Sequence, residues 1–150
     1  MTTLKLDDFL PYRLSIASNR VSDAVATAYQ ALFGLSIAQW RLIAVLAESG
    51  GMSQQALCGV TRMDKVTVSR AAVALVARGL VARAANPQDQ RSHLLSLSAA
   101  GRLLYDSVAP KALELEARIF NGFTPAERAQ FTAMLARIEG AAAQIAPERG

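Results

Sequence analysis

The chain has 150 residues, 52% of them apolar, with nine glycines, five prolines and a single cysteine. That composition suits one compact domain or a core with helical extensions, and excludes a disordered, collagen-like or disulfide-built protein. The net charge of +4 is unevenly spread: Ser53 to Arg102 holds seven basic and two acidic residues, the remainder nine and ten. Such a segment points to a local polyanion-binding face.

In chain order, Asp7 and Asp8 are expected to cap a first helix with Pro11 in its first turn. Apolar residues at Leu10, Leu14, Ala17, Val21, Val25, Ala28 and Leu32 extend it to about Gly34. Ser36 and Gln39 form a capping box for a second helix through Trp40, Leu42, Ile43, Val45 and Leu46, stopped by "ESGG". Ser53 opens a short helix, "SQQALCGV". After a break at Thr61–Met63, Asp64 caps a further helix from Lys65 to about Arg78, and Gly79 ends it. Leu80–Ala84 reads as a strand, "NPQD" as a turn, and Ser92–Leu97 as the returning strand, with His93, Leu95 and Leu97 on one face. Ser98 caps a long helix through Leu104, Val108, Leu115 and Ile119, which Pro110 is expected to kink. Thr124-Pro125-Ala126-Glu127 opens the last helix, carrying Phe131, Leu135, Ile138, Ala142 and Ile145.

A short helix, a tight break, a second helix and then a hairpin is the winged helix-turn-helix order. The expected fold is mainly α with a small β-hairpin. Residues 1–34 and 101–150 supply long dimerisation helices around a DNA-binding lobe at 35–100. The first helix and the last two are striped, and the central lobe is too small to cover three stripes, so a second copy is expected to bury them. Two-fold symmetry then sets the two recognition helices roughly 34 Å apart on DNA.

Within "DKVTVSRAAVALVARGLVAR", Val68, Ala72 and Leu75 share the inward face. Lys65, Val66, Thr67, Ser69 and Arg70 occupy the N-terminal part that reaches base edges. Arg91, near the hairpin tip, suits a minor groove, with Asp89 accepting its guanidinium hydrogen bonds and holding it extended. His93 lies near the wing, where contact with a phosphate and a neutral role in the hairpin are both open. A winged-helix adaptor that binds protein is the rival reading. It calls for an apolar, weakly charged recognition face, whereas this one carries Lys65 and Arg70.

These residues carry a resemblance to the MarR family of winged-helix transcription regulators. "DQRSHLLSLSAAG" fits that family's pattern of Asp-x-Arg, three residues, Leu-x-Leu-Thr, two residues and Gly, with Ser98 in place of Thr. Gln90 stands where members usually carry a second basic residue. "LSIAQWRLIAVLAESGGMSQQAL" is similar to the two preceding helices. The resemblance implies a homodimer on near-palindromic double-stranded DNA, acting mostly as a repressor released by a small, often phenolic or carboxylic, ligand. It also implies an effector cavity between the dimerisation helices and the DNA-binding lobe, which Tyr12, Arg13, Arg20, Trp40 and Arg41 would line.

The family's redox branch keeps its cysteine in the first helix, where this chain has none, so Cys58 reads as structural. One His and one Cys without an acidic cluster at ligand spacing give no metal site, and no cofactor is expected. No phosphate-binding glycine loop or paired-acid motif indicates an enzyme. Apolar stretches are interrupted by Arg, Gln, Ser or Asp before they reach membrane-spanning length. "MTTLKLDDFLPYRL" has acids where a signal peptide would be basic, so a cytoplasmic location is expected.

Overall fold

A computed structural model describes residues 2–145. The chain forms two compact units, one up to Ala112 and one from Leu113. Six helices run in order: α1 (Leu10–Phe33), α2 (Ile37–Ser49), α3 (Gln54–Thr61), α4 (Lys65–Ala77), α5 (Ala99–Ile119) and α6 (Pro125–Ile145). Three short strands, β1 (Met52–Ser53), β2 (Val81–Ala85) and β3 (His93–Leu97), form one antiparallel sheet in the order β1-β3-β2.

The expected hairpin is thus the larger part of a three-stranded sheet. In β2–β3, Val81 faces Leu97, Arg83 faces Leu95 and Ala85 faces His93; β1 adds Met52 against Leu95 and Ser53 against Leu94. Two residues, the second of them the cap of α3, are too few to show a strand's alternation; the pairing with β3 defines β1.

The start of α1 differs from expectation. Asp7 and Asp8 are taken up in a single 3-10 turn over Leu6–Asp8, and the cap passes to Phe9, whose side chain makes no capping bond. The first helical bond runs from the Arg13 N–H to the Phe9 carbonyl at 3.0 Å. Pro11 falls in the first turn, where a missing N–H has no partner to lose. Gly34, with φ +64°, closes the helix in the left-handed conformation that glycine adopts without a Cβ clash. The apolar stripe read from the sequence faces outward: Leu10, Leu14, Val21 and Leu32 are exposed, and Tyr29 is the side chain that α1 buries.

The core of the first unit joins Leu35 and α2 (Leu42, Ile43, Leu46) to Leu57 of α3, Val68 and Leu75 of α4, Leu95 of β3 and Val108 of α5, all essentially inaccessible. Each such side chain contributes about 1.5–3 kcal/mol by leaving water. The predicted inward face of α4 is therefore the observed one. The box opening α2 is complete, with Gln39 N–H donating to Ser36 Oγ at 3.1 Å and Ser36 N–H to Gln39 Oε1 at 3.0 Å. Ser36→Ala is expected to cost about 1 kcal/mol and to lower the melting temperature by about 2–4 °C, measured by thermal unfolding.

The helix-turn-helix corner between α3 and α4 is made by Arg62, whose φ of 61° is left-handed and unusual for a side-chain-bearing residue. At the other end of the lobe, Ser98 starts α5. Its hydroxyl accepts the Gly101 N–H at 3.0 Å and donates to the Gly79 carbonyl at 2.6 Å, while its own N–H donates to the Leu80 carbonyl at 3.1 Å. Helix α5 continues through Pro110.

In the second unit, α6 opens on the expected box: Thr124 N–H donates to Glu127 Oε1 at 2.9 Å and Glu127 N–H to Thr124 Oγ1 at 3.1 Å. Phe120, Phe123 and Phe131 cluster there with ring centroids about 6 Å apart. Phe131, Met134 and Ile138 leave an apolar face of α6 exposed.

Candidate nucleic-acid interface

Helix α4 is anchored at its start by Asp64. Its carboxylate accepts the Thr67 N–H at 2.7 Å and the Thr67 hydroxyl at 3.0 Å. The Thr67 backbone N–H, then its hydroxyl, hold the carboxyl below the ordinary carboxylate range. A lowered folded value means that this contribution to stability is present above the unfolded carboxylate pKa and lost as pH falls through the folded one. Thr67 has accordingly spent its hydroxyl proton on the cap.

Beyond the cap, Lys65, Val66 and Arg70 are exposed, Thr67 and Ser69 are half-buried, and Val68 faces the core. Lys65 and Ser69 border a recess of about 420 Å³ between α3 and α4, together with Gln54, Gln55 and Cys58. Cys58 is half-buried there rather than sealed in the core.

The wing tip between β2 and β3 is closed by its own polar groups. Asn86 Oδ1 accepts the Gln88 N–H at 3.0 Å, and Asp89 Oδ1 accepts the Arg91 N–H at 2.9 Å. Asn86 Nδ2 donates to Ser92 Oγ at 3.0 Å, and the Ser92 N–H donates to the Asp89 carbonyl at 3.2 Å. Asp89 thus holds the backbone of Arg91, not its guanidinium as expected. The reason is local: an Asx side chain reaches the N–H two residues on, and Asn86 and Asp89 repeat that geometry at the same spacing. The Arg91 side chain is left exposed.

Strand register adds a residue that sequence reasoning did not place. Arg83 and His93 lie on the same face of the hairpin, opposite Leu95 and Ala85 respectively. With Arg91 they line a cleft of about 350 Å³ against Ser53, Gln54 and Gln55 at the start of α3. The cleft is polar and of mixed charge, because the Asp89 carboxylate and the amide of Asn86 line it too.

Of the other arginines in the basic segment, one is spent on the fold and one rests, still exposed, near a ring of its own helix. Arg78 donates to the carbonyls of Gly34 at 3.1 Å and Phe33 at 3.3 Å, satisfying the C-terminal end of α1. Arg102 lies 5.8 Å from the centroid of the Tyr105 ring. Position in sequence gave no means of separating these from Arg70 or Arg91.

The residues expected to line an effector cavity are divided between two helices. Tyr12, half-buried, and Arg13 and Arg20, both exposed, lie on α1; Trp40 and the exposed Arg41 lie on α2. The Trp40 indole stacks on Tyr105 with centroids 5.7 Å apart and meets Tyr29 edge-on at 5.8 Å. Rings of this chain therefore occupy two sides of it. Among the described residues no group of three or more His, Cys, Asp or Glu is placed to hold a metal, and no single helix is long and apolar enough to cross a membrane.

A family model described as "MarR family" matches residues 33–92. A MarR-family transcriptional regulator from Silicibacter pomeroyi is 32% identical, with 99% of this chain and 100% of that one covered and a TM-score of 0.78. A probable transcriptional regulator from Pseudomonas aeruginosa is also 32% identical, covering 89% and 99% of the two chains at a TM-score of 0.78. BpsR of Bordetella bronchiseptica, whose DNA binding is regulated by 6-hydroxynicotinic acid, is 27% identical over 92% of this chain and 98% of that one, at a TM-score of 0.82. A comparison with curated protein sequences finds no match.

Proposed function

Since the chain belongs to the MarR family of transcription regulators, we propose that it binds a near-palindromic operator as a homodimer and represses transcription until a small aromatic or acidic ligand releases it. The observation that carries this reading is the exposure of Lys65 and Arg70 on α4 together with Arg91 at the wing tip. A helix and a hairpin that present cations beyond a helix-turn-helix corner match a major groove and the adjacent minor groove. The protein-binding alternative needs an uncharged recognition face, and this one is cationic.

The dimer is supported by the apolar side chains left uncovered on α1 (Leu10, Leu14, Val21, Leu32) and, in the second unit, on α6. Ligand release is supported by the regulation of BpsR by an aromatic acid. The proposed cavity is the one assigned to Tyr12, Arg13, Arg20, Trp40 and Arg41.

Binding of promoter fragments is expected to weaken steeply with salt, the logarithm of affinity falling linearly with the logarithm of concentration. A flat dependence, or no binding at low salt, overturns the DNA reading. Light scattering at micromolar concentration is expected to give twice the mass of the 16.0 kDa chain; a monomer overturns the dimer. Trp40 is the only tryptophan, so aromatic acids that enter beside it are expected to change its fluorescence and to lower DNA affinity together.

A further inference from the structure

We infer that the outward face of α4 selects, in each operator half-site, a thymine within about two base pairs of a guanine, with Val66 meeting the thymine methyl and Arg70 the guanine edge. The inference rests on the DNA-binding reading above and names the chemistry of its target.

Val66, Arg70 and Val73 recur at steps of four and three and so share one face of the helix. All three are exposed, Val66 to 57% and Val73 to 55%. Of the intervening side chains, the Thr67 hydroxyl is bonded to Asp64, Val68 is in the core, and Ser69 is half-buried on the side of α3. Beside the exposed ammonium of Lys65, α4 therefore presents an apolar group and, one turn later, a guanidinium.

In the major groove the thymine C5-methyl is the apolar feature, and the paired O6 and N7 acceptors of guanine match the arginine fork. One helical turn is about 5.4 Å, between one and two base-pair steps of about 3.4 Å. That spacing sets the separation of the two bases. Val73, one turn further from the N-terminal half that enters deepest, falls on the groove wall.

Half-sites are to be selected from random duplexes with the wild-type protein at low salt. The enriched site is then remade with uracil for the thymine, which removes only the methyl, and with a deazaguanine lacking N7. Uracil is expected to weaken the wild type about four-fold per half-site, the loss of one buried methyl, and to leave Val66→Ala unaffected. Val66 is exposed, so that variant folds. Arg70→Lys keeps the charge without the fork; it is expected to hold unrelated DNA as before but to bind the guanine and deazaguanine sites equally. Enriched sites without the thymine, a uracil penalty that persists in Val66→Ala, or a deazaguanine penalty that persists in Arg70→Lys each overturn the assignment. Failure of the wild type to bind any duplex at low salt overturns the DNA-binding reading instead.

Discussion

Replacing Gly101 by alanine is expected to destabilise the protein by about 3 kcal/mol, at the upper end of what overpacking costs, and to lower the melting temperature by about 6–12 °C. A Cβ at this position would fall inside the van der Waals shell of the Leu80 carbonyl oxygen, with the Leu80 carbonyl carbon and Leu97 Cδ2 each 3.1 Å away. Two of those atoms are backbone, held in place by the Leu80 bond to Ser98, so no rotamer change relieves the overlap. Gly101 itself is buried, which closes the alternative of swinging α5 outward without uncovering core. Gly59→Ala is the matched control, because a Cβ there meets nothing within 4 Å and alanine is about 1 kcal/mol more favourable inside a helix. Thermal unfolding of both variants checks the pair. A Gly101→Ala protein as stable as the wild type would show that α5 is not seated on the wing as described.

On the proposed function, Arg91→Ala is expected to weaken operator binding about 30-fold or more, since the proposed dimer would lose two arginine contacts of about 1 kcal/mol or more each. The salt slope should fall by about two, one released counterion for each wing. The hydrogen-bonded tip separates charge from posture. Asp89→Asn keeps an acceptor for the Arg91 N–H and removes an anion, so it is expected to bind at least as tightly as the wild type. Asp89→Ala loses the turn and is expected to bind more weakly. Fluorescence anisotropy across a salt series reads all three variants. Unchanged affinity in Arg91→Ala removes the wing from the mechanism, and equal behaviour of the two Asp89 variants removes the positioning role.

Most of the lobe was legible because its signals are local. The boxes at Ser36/Gln39 and Thr124/Glu127, the Asp64 cap and the inward spacing of Val68, Ala72 and Leu75 each lie within a few residues, where backbone geometry leaves few alternatives. What was not legible depends on distant partners. Strand β1 exists because β3 pairs with it, and Arg78 leaves the basic face because the end of α1, some 44 residues earlier, offers two carbonyls. The stripe on α1 was legible as a stripe, but periodicity does not say which way it faces; Tyr29, and not Leu14 or Val21, marks the covered side. At the site, Arg70 and Arg91 could be named from their segment, whereas Arg83 needed the strand register, and the bond between Asp89 and Arg91 needed the turn geometry.

The bridge at Ser98 has a mechanical meaning. One hydroxyl and one N–H fasten the first turn of α5 to the backbone at Gly79 and Leu80, where α4 gives way to the wing. The start of α5 and the root of the wing therefore share one joint. A displacement of that first turn without the wing would have to break both bonds. On the proposed operator-binding reading, this joint ties the position of the wing arginines to that of the first turn of α5.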